Sequence, residues 1–251
     1  RRYYRAAEAA AVRLSDAIIA DAQGIADYYA QEFKAPTTLI AYGAPIADAG
    51  TERLGELDLR PGGFHLVVAR FEPENHVDVV VEGYVRSDAA LPLVVVGSAP
   101  YSDAYTERIA SLADERVRLP GGIWDQELLD QLYAGALVYY HGHSVGGTNP
   151  SLLRAIGAGA AVDAFDVSFN REVLGDAGRY WTGADDVARL VASAEADPAA
   201  QAARGELSRE RAALYDWDEV ADRYEALCRE LAASGPRSDR PSGRRAGIAP
   251  S

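Results

Sequence analysis

The chain has 251 residues, 48% of them hydrophobic and 25% charged, with a formal net charge of −13. That is material for one large domain or a domain with attached helices, and an acidic balance without a basic stripe argues against a nucleic-acid surface. A single cysteine, Cys228, excludes an internal disulfide and a thiolate metal cluster, and there is neither an apolar run of eighteen residues nor a signal-peptide core.

Along the chain, short apolar runs alternate with amphipathic stretches. Residues 1–14 carry a helical pattern, 17–20 are strand-like, and a helix is expected over 24–33. A strand follows at 38–41, then a polar segment, 47–63, that reads as a loop with little structure of its own. The next pairs of strand and helix are 64–69 with 77–86 and 93–97 with 103–113. Residues 116–119 read as a short edge-like strand before a helix at 126–134, and a strand at 136–140 leads into a small-residue loop. A helix begins near Thr148 or Asn149, and a strand covers 160–164. After Trp181 the pattern is helical, over 185–196, 198–214 and 217–233. Cys228 falls in the apolar stripe of the last helix, where a packed thiol is expected. The tail from 234 to 251 is rich in Pro, Gly, Ser and Arg without periodicity and reads as disordered. Its arginines could touch anionic lipid, but a solvated tail is the plainer reading.

Continuous apolar runs bracketed by helices belong to strands buried on both faces of a parallel sheet. Their alternation argues for right-handed crossovers and an α/β, Rossmann-like, doubly wound fold, with ligands beyond the carboxyl ends of the strands. Three such ends stand out: Arg70, Gly97-Ser98, and the loop through Gly142, Ser144, Gly146 and Gly147. Thr148 or Asn149 suits a helix cap, and Pro150 suits a first turn that needs no N–H. Glycines admit close approach of a ligand, and a helix start favours an anion, so Gly146, Gly147, Thr148 and Asn149 are candidates for a phosphate cradle. A tight strand-to-helix turn is the plain alternative. The H-x-H of His141 and His143 reads as a hydrogen-bonding pair rather than a zinc site.

The segments VARFEPENH (68–76), PLVVVGSAPYSDAY (92–105), LPGGIWDQELLDQLYAGALVYYHGHSVGGTNPSLLRAIGAG (119–159) and FDVSFNREVLGDAGRYW (165–181) carry a resemblance. They are similar to the C-terminal half of a GT-B glycosyltransferase of family 4, and more narrowly to the bacterial rhamnosyltransferase-type subgroup that builds surface polysaccharides. The resemblance implies retaining transfer of a sugar from a nucleotide diphosphate sugar, dTDP-rhamnose or a UDP-hexose, to a saccharide or lipid-linked acceptor. It implies no cofactor or bound metal, a cytoplasmic location, and peripheral contact of the full-length protein with the inner face of the membrane. The donor-binding domain would span 15–181, with C-terminal helices over 182–233 and a helix over 1–14 leading to an acceptor domain absent from this chain. The absence of methionine likewise reads as a fragment of a longer product.

On this resemblance Arg70 joins Gly146, Gly147, Thr148 and Asn149 around the diphosphate. Gly97, Ser98, His143, Ser144, Arg154, Asn170 and Glu172 lie near the donor sugar or nucleoside, and no catalytic residue is assigned. Three positions depart from the family pattern. Gly146 and Arg154 stand where related enzymes carry two glutamates, and Asn75 stands where a lysine is usual. A guanidinium only donates hydrogen bonds, so Arg154 cannot accept them from ribose hydroxyls. A catalytically inactive nucleotide-sugar-binding fragment and a GT-B nucleotide-sugar epimerase are the alternatives.

Overall fold

A computed structural model describes residues 2–99, 103–235 and 239–243. In chain order the elements are α1 (Arg2–Leu14), β1 (Ile19–Ala20), α2 (Gln23–Phe33), β2 (Thr38–Leu39), β3 (His65–Val68), α3 (Val77–Val85), β4 (Leu93–Val96), α4 (Asp103–Leu112) and β5 (Val117–Gly121). They continue as α5 (Gln126–Gly135), β6 (Val138–His141), α6 (Pro150–Gly157), β7 (Val162–Phe165), α7 (Ser168–Leu174), β8 (Arg179–Trp181), α8 (Ala184–Ala196), α9 (Pro198–Ala212) and α10 (Trp217–Ser234). The chain divides into two compact units, residues 44–145 with 149–214, and residues 1–43 with 146–148 and 215–251.

The larger unit is built on a six-stranded sheet in the order β5-β4-β3-β6-β7-β8, and each neighbouring pair is parallel. The chain moves outward through β4 and β5, then returns to the other side of β3 with β6, so β3 and β6 flank the topological switch point. Their sequences explain their position. Leu66-Val67-Val68 and Leu93-Val94-Val95-Val96 are apolar, rich in β-branched valine and almost wholly buried, as a doubly covered sheet requires. Val67, Val81, Leu93, Val95, Ile109, Val138 and Val187 lie in one continuous core with Trp181, whose indole N–H donates to the Asp163 carbonyl at 3.2 Å.

Polar side chains fix the helices on this core. Asp125 caps α5 through the Leu128 N–H at 3.1 Å, and Asp197 caps α9 through the Ala200 N–H at 3.0 Å. Glu195 of α8 accepts from the N–H groups of Ala90 and Leu91, at 2.8 and 3.0 Å, and faces His65 Nε2 at 3.1 Å. Arg204 of α9 reaches the fully buried Asp163 on β7 at 2.7 Å and also bonds Gln201, the Val162 carbonyl and the Ala177 carbonyl. Burial pushes the Asp163 carboxyl above its ordinary range, and Arg204 opposes that shift.

The smaller unit holds α1, the parallel pair β1–β2 joined by α2, and α10, with Val12, Phe33 and Ala35 in its core. Arg223 of α10 donates to the Leu39 carbonyl.

Four sequence expectations change. The strands at 17–20 and 38–41 form a separate two-stranded sheet, so a single sheet does not run through 15–181. The segment 47–63 contains a 3-10 turn, Glu52–Leu57, with Leu54 fully buried and the Arg53 N–H donating to Gln131 at 2.8 Å. The stretch before Trp181 is a sixth strand, β8, too short and polar to show in the pattern. Cys228 is exposed rather than packed. Of the tail, 236–238 and 244–251 lie outside the described residues. Within 239–243, Arg240 donates to the Leu14 carbonyl at 2.9 Å and pairs with Asp16.

Candidate functional site

Where the strand order reverses, the carboxyl ends of β3, β4, β5 and β6 enclose a cavity of about 430 Å³, together with Asn75 and the start of α6. This is the position at which open α/β sheets hold ligands, and the volume falls within the ordinary range for small-molecule sites. Its floor is backbone. A Cβ on Gly97 would lie 1.9 Å from the Ala69 carbonyl oxygen, and one on Gly142 would lie 2.0 Å from the Asn75 carbonyl oxygen. Only glycine permits strand ends and loops to approach so closely.

The electrostatic character is unusual for so acidic a chain. Arg70 lines the cavity, and none of its eighteen lining residues is Asp or Glu. Among the described residues Arg70 is exposed and forms no ion pair. Neither Glu72 nor Glu74, close to it in sequence, pairs with it. A free guanidinium in a carboxylate-free cleft suits an anion. At the rim, the loop after β5 carries Gly122, Ile123 and Trp124, and the Trp124 ring is 83% exposed. That ring offers a flat face to a planar group.

Two histidines line the cavity. His141 ends β6 and is buried, and its Nδ1 lies 3.0 Å from the Tyr139 hydroxyl. Its Nε2 is buried without a partner. Burial, with a smaller contribution from His143, drops its pKa to about 3, so the ring is neutral in ordinary solution. His143 is half-buried, and its Nδ1 lies 2.6 Å from Asn75 Oδ1. Burial is the main cause that lowers the pKa of His143, and the charge of Arg70 acts in the same direction. The two rings stand 6.1 Å apart, so each is held by other residues instead of by its neighbour. Among the described residues no group of His, Cys, Asp or Glu could hold a metal ion.

Asn75, which reads in the sequence only as a missing lysine, links two parts of the site. Its Nδ2 donates to the Arg70 carbonyl at 2.8 Å while its Oδ1 receives His143. Asn170 is fully buried, donates to the His143 carbonyl at 3.0 Å and the Phe165 carbonyl at 2.9 Å, and supports the loop from behind without lining the cavity.

Of the residues expected at the diphosphate, Arg70 and Asn149 line the cavity, whereas Gly146, Gly147 and Thr148 do not. Those three belong with the smaller unit, where Thr148 Oγ1 donates to the Asp21 carbonyl and a Cβ on Gly147 would meet the Asp21 carboxylate. Asn149 is the cap of α6 and accepts from the Ser151 N–H at 2.9 Å and hydroxyl at 2.7 Å. With Pro150 next, the helix start has fewer free donors than its sequence suggests. Gly97, Ser98 and His143 line the cavity; Ser144 does not, and its hydroxyl donates to the Glu74 carbonyl at 3.0 Å. Arg154 points to α5, where Asp130 at 2.6 Å and Gln126 hold its guanidinium, and Glu172 also lies off the lining. His141, Ser151, Trp124 and Gln126 are lining residues that the sequence reading did not assign. For Trp124 the signal was available, as an aromatic residue after Gly-Gly at a strand's carboxyl end.

The likeness to solved structures is one of fold. Sucrose-phosphate synthase from Thermosynechococcus elongatus matches with a TM-score of 0.81 at 22% identity, over 94% of this chain and 63% of that one. HepE of Anabaena, solved in complex with UDP and glucose, matches with a TM-score of 0.80 at 17% identity, over 90% of this chain and 66% of that one. The pneumococcal O-GlcNAc transferase GtfA, in complex with UDP and GlcNAc, gives 0.71 at 18% identity, over 92% and 48%. In sequence, the GtfA subunit of the UDP-N-acetylglucosamine–peptide N-acetylglucosaminyltransferase of Streptococcus gordonii is 29% identical over 118 residues, 45% of this chain and 22% of that protein. The chain thus spans about a fifth of that relative and less than two-thirds of each of these three solved chains. The family model described as glycosyl transferases group 1 matches residues 61–211, more than half of the chain, and the chain belongs to that family.

Proposed function

We propose that the cavity binds the nucleoside diphosphate of a sugar nucleotide, and that the chain is the donor-binding part of a retaining, family 4-like glycosyltransferase. The observation that carries this reading is an unpaired Arg70 in a cavity with no carboxylate, at the switch point of a parallel sheet. As the glycosidic bond breaks, charge grows on the leaving diphosphate, and a fixed cation that cannot deprotonate stabilises it. Trp124 offers a stacking face for the base, next to Gln126. The relatives solved with UDP and a sugar support the same ligand class.

Within this reading the donor is dTDP-rhamnose or a UDP-hexose. The acceptor is a saccharide or lipid-linked oligosaccharide of a surface polysaccharide, reached in the cytoplasm at the membrane's inner face. Gly146, Gly147 and Thr148 remain candidates for the diphosphate, Ser144, Asn170 and Glu172 for the sugar side. A second reading, a binding module without catalysis, is favoured by one observation: with Gly146 and Arg154 in place of carboxylates, the cavity offers no acidic acceptor for ribose or sugar hydroxyls.

Calorimetry of this chain with UDP, dTDP and their monophosphates tests the binding claim. A diphosphate is expected to bind and the monophosphate to bind much more weakly. No binding of either diphosphate overturns the reading. Incubating the full-length protein with UDP-glucose and dTDP-rhamnose, and assigning the anomer of any product by NMR, separates a retaining transferase from the binding module.

A further inference from the structure

The rim residues 122–124 bridge β5 and α5, and the two ends of this loop are held differently. On the β5 side the Gly97 N–H donates to the Gly121 carbonyl at 3.0 Å, which ties the loop to β4. Beyond that point, among the described residues, Gly122, Ile123 and Trp124 make no hydrogen bond from main chain to main chain. What holds the Trp124 carbonyl is the Gln126 amide, whose Nε2 donates to it at 3.3 Å. Gln126 is exposed, and an exposed amide left to itself can turn over. Its orientation is set from α6. Arg154 Nη1 donates to Gln126 Oε1, and a guanidinium only donates, so the amide oxygen faces Arg154 and the NH2 faces Trp124. Arg154 Nη2 also donates to the Gln126 carbonyl at 3.1 Å, and its Nε donates to Asp130 at 2.6 Å. The fork thus grips the first turn of α5 at three acceptors, and the Arg154 side chain is only 20% exposed.

We propose that Arg154 is a positioning residue for base recognition: through Gln126 it fixes the Trp124 segment at the cavity rim, so residue 154 acts on the base and not on the ribose. This rests on the reading above that Trp124 is the stacking face. A ring ordered before the ligand arrives binds more tightly than one that must be ordered by it. The simpler role, a staple between α6 and α5, needs only the ion pair with Asp130. Lysine at 154 separates the two roles. Its ammonium can pair with Asp130 but lacks the planar fork that meets the amide oxygen and the carbonyl together.

Titration calorimetry with UDP and with ribose 5-diphosphate, which keeps the phosphates and sugar but lacks the base, tests the proposal. Stacking on one aromatic ring is worth about 5- to 150-fold in affinity, so Arg154→Lys should weaken UDP about fivefold and leave ribose 5-diphosphate unchanged. Gln126→Ala leaves the Arg154–Asp130 pair in place and should weaken UDP by a similar factor. In a Trp124→Ala background neither change should weaken UDP further. Unchanged UDP affinity in both variants, equal losses for the two ligands, or losses that add to that of Trp124→Ala overturn the proposal. If Trp124→Ala weakens UDP while Arg154→Lys and Gln126→Ala do not, the base reading stands and this proposal alone fails. If Trp124→Ala binds UDP as tightly as the wild type, the base reading fails and the proposal falls with it.

Discussion

Arg204→Met isolates the buried ion pair that joins α9 to the sheet. Asp163 is fully buried and its Oδ2 already lacks a partner, so the variant leaves a carboxylate without the one cation that hydrogen-bonds it among the described residues. Breaking such a pair costs about 3–5 kcal/mol. An independent bound comes from protonation. If Asp163 folds neutral from an unfolded pKa near 3.9, the cost is about 4 kcal/mol at pH 7 and about 1.5 at pH 5. The sign follows from linkage. The folded-state pKa lies above the unfolded one, so folding takes up a proton between the two, and stability falls as pH rises through that window. Urea denaturation followed by circular dichroism should therefore show a deficit of about 4 kcal/mol at pH 7, shrinking by about 2–3 at pH 5. The double variant Asp163→Asn/Arg204→Met should recover most of it, since no charge remains to be buried. A deficit below about 1 kcal/mol, or one equal at the two pH values, would refute the reasoning.

Three further outcomes are expected. Arg70→Ala should weaken UDP binding by about 1.5–3 kcal/mol, the range for a hydrogen bond to a charged group, and unchanged affinity by calorimetry removes Arg70 from the site. Trp124→Ala should cost about 1–3 kcal/mol in UDP affinity if the base stacks there, and UDP should quench wild-type fluorescence but not that of the variant. Arg154→Glu should lower the melting temperature, because it places a second carboxylate beside Asp130 and loses the Gln126 contacts; a destabilisation of about 1–2 kcal/mol is expected. Higher UDP affinity in Arg154→Glu would instead place residue 154 at the ribose.

The sheet and its switch point were legible because buried parallel strands write themselves as continuous apolar runs, and Leu93–Val96 is the plainest case. β8 was not, since Arg179-Tyr180-Trp181 is held by its pairing with β7 and not by its own pattern. The 3-10 turn at Glu52–Leu57 is fixed by Gln131, 78 residues from Arg53 in sequence, which no local reading can see. Arg70, Gly97 and Asn149 were found because strand ends and helix starts are marked locally. The direction of Arg154 was not, because a helix position fixes a face but not which neighbour claims the guanidinium. Asn75 shows the limit of comparison by position. As a substituted lysine it reads as a loss, yet in the structure it orients His143 and holds the Arg70 backbone.

The backbone floor made by Gly97 and Gly142 restricts how this site can diversify. Any side chain at either position would collide with a neighbouring carbonyl, so drift there is closed off. The rim formed by Gly122, Ile123 and Trp124 has no such restriction: a Cβ on Gly122 meets only Trp124 at ordinary contact distance. Exposed loops on a rigid scaffold tolerate substitution, whereas a floor of touching main chain does not. A library intended to change what this cavity accepts should therefore vary 122–124 and leave the two glycines untouched.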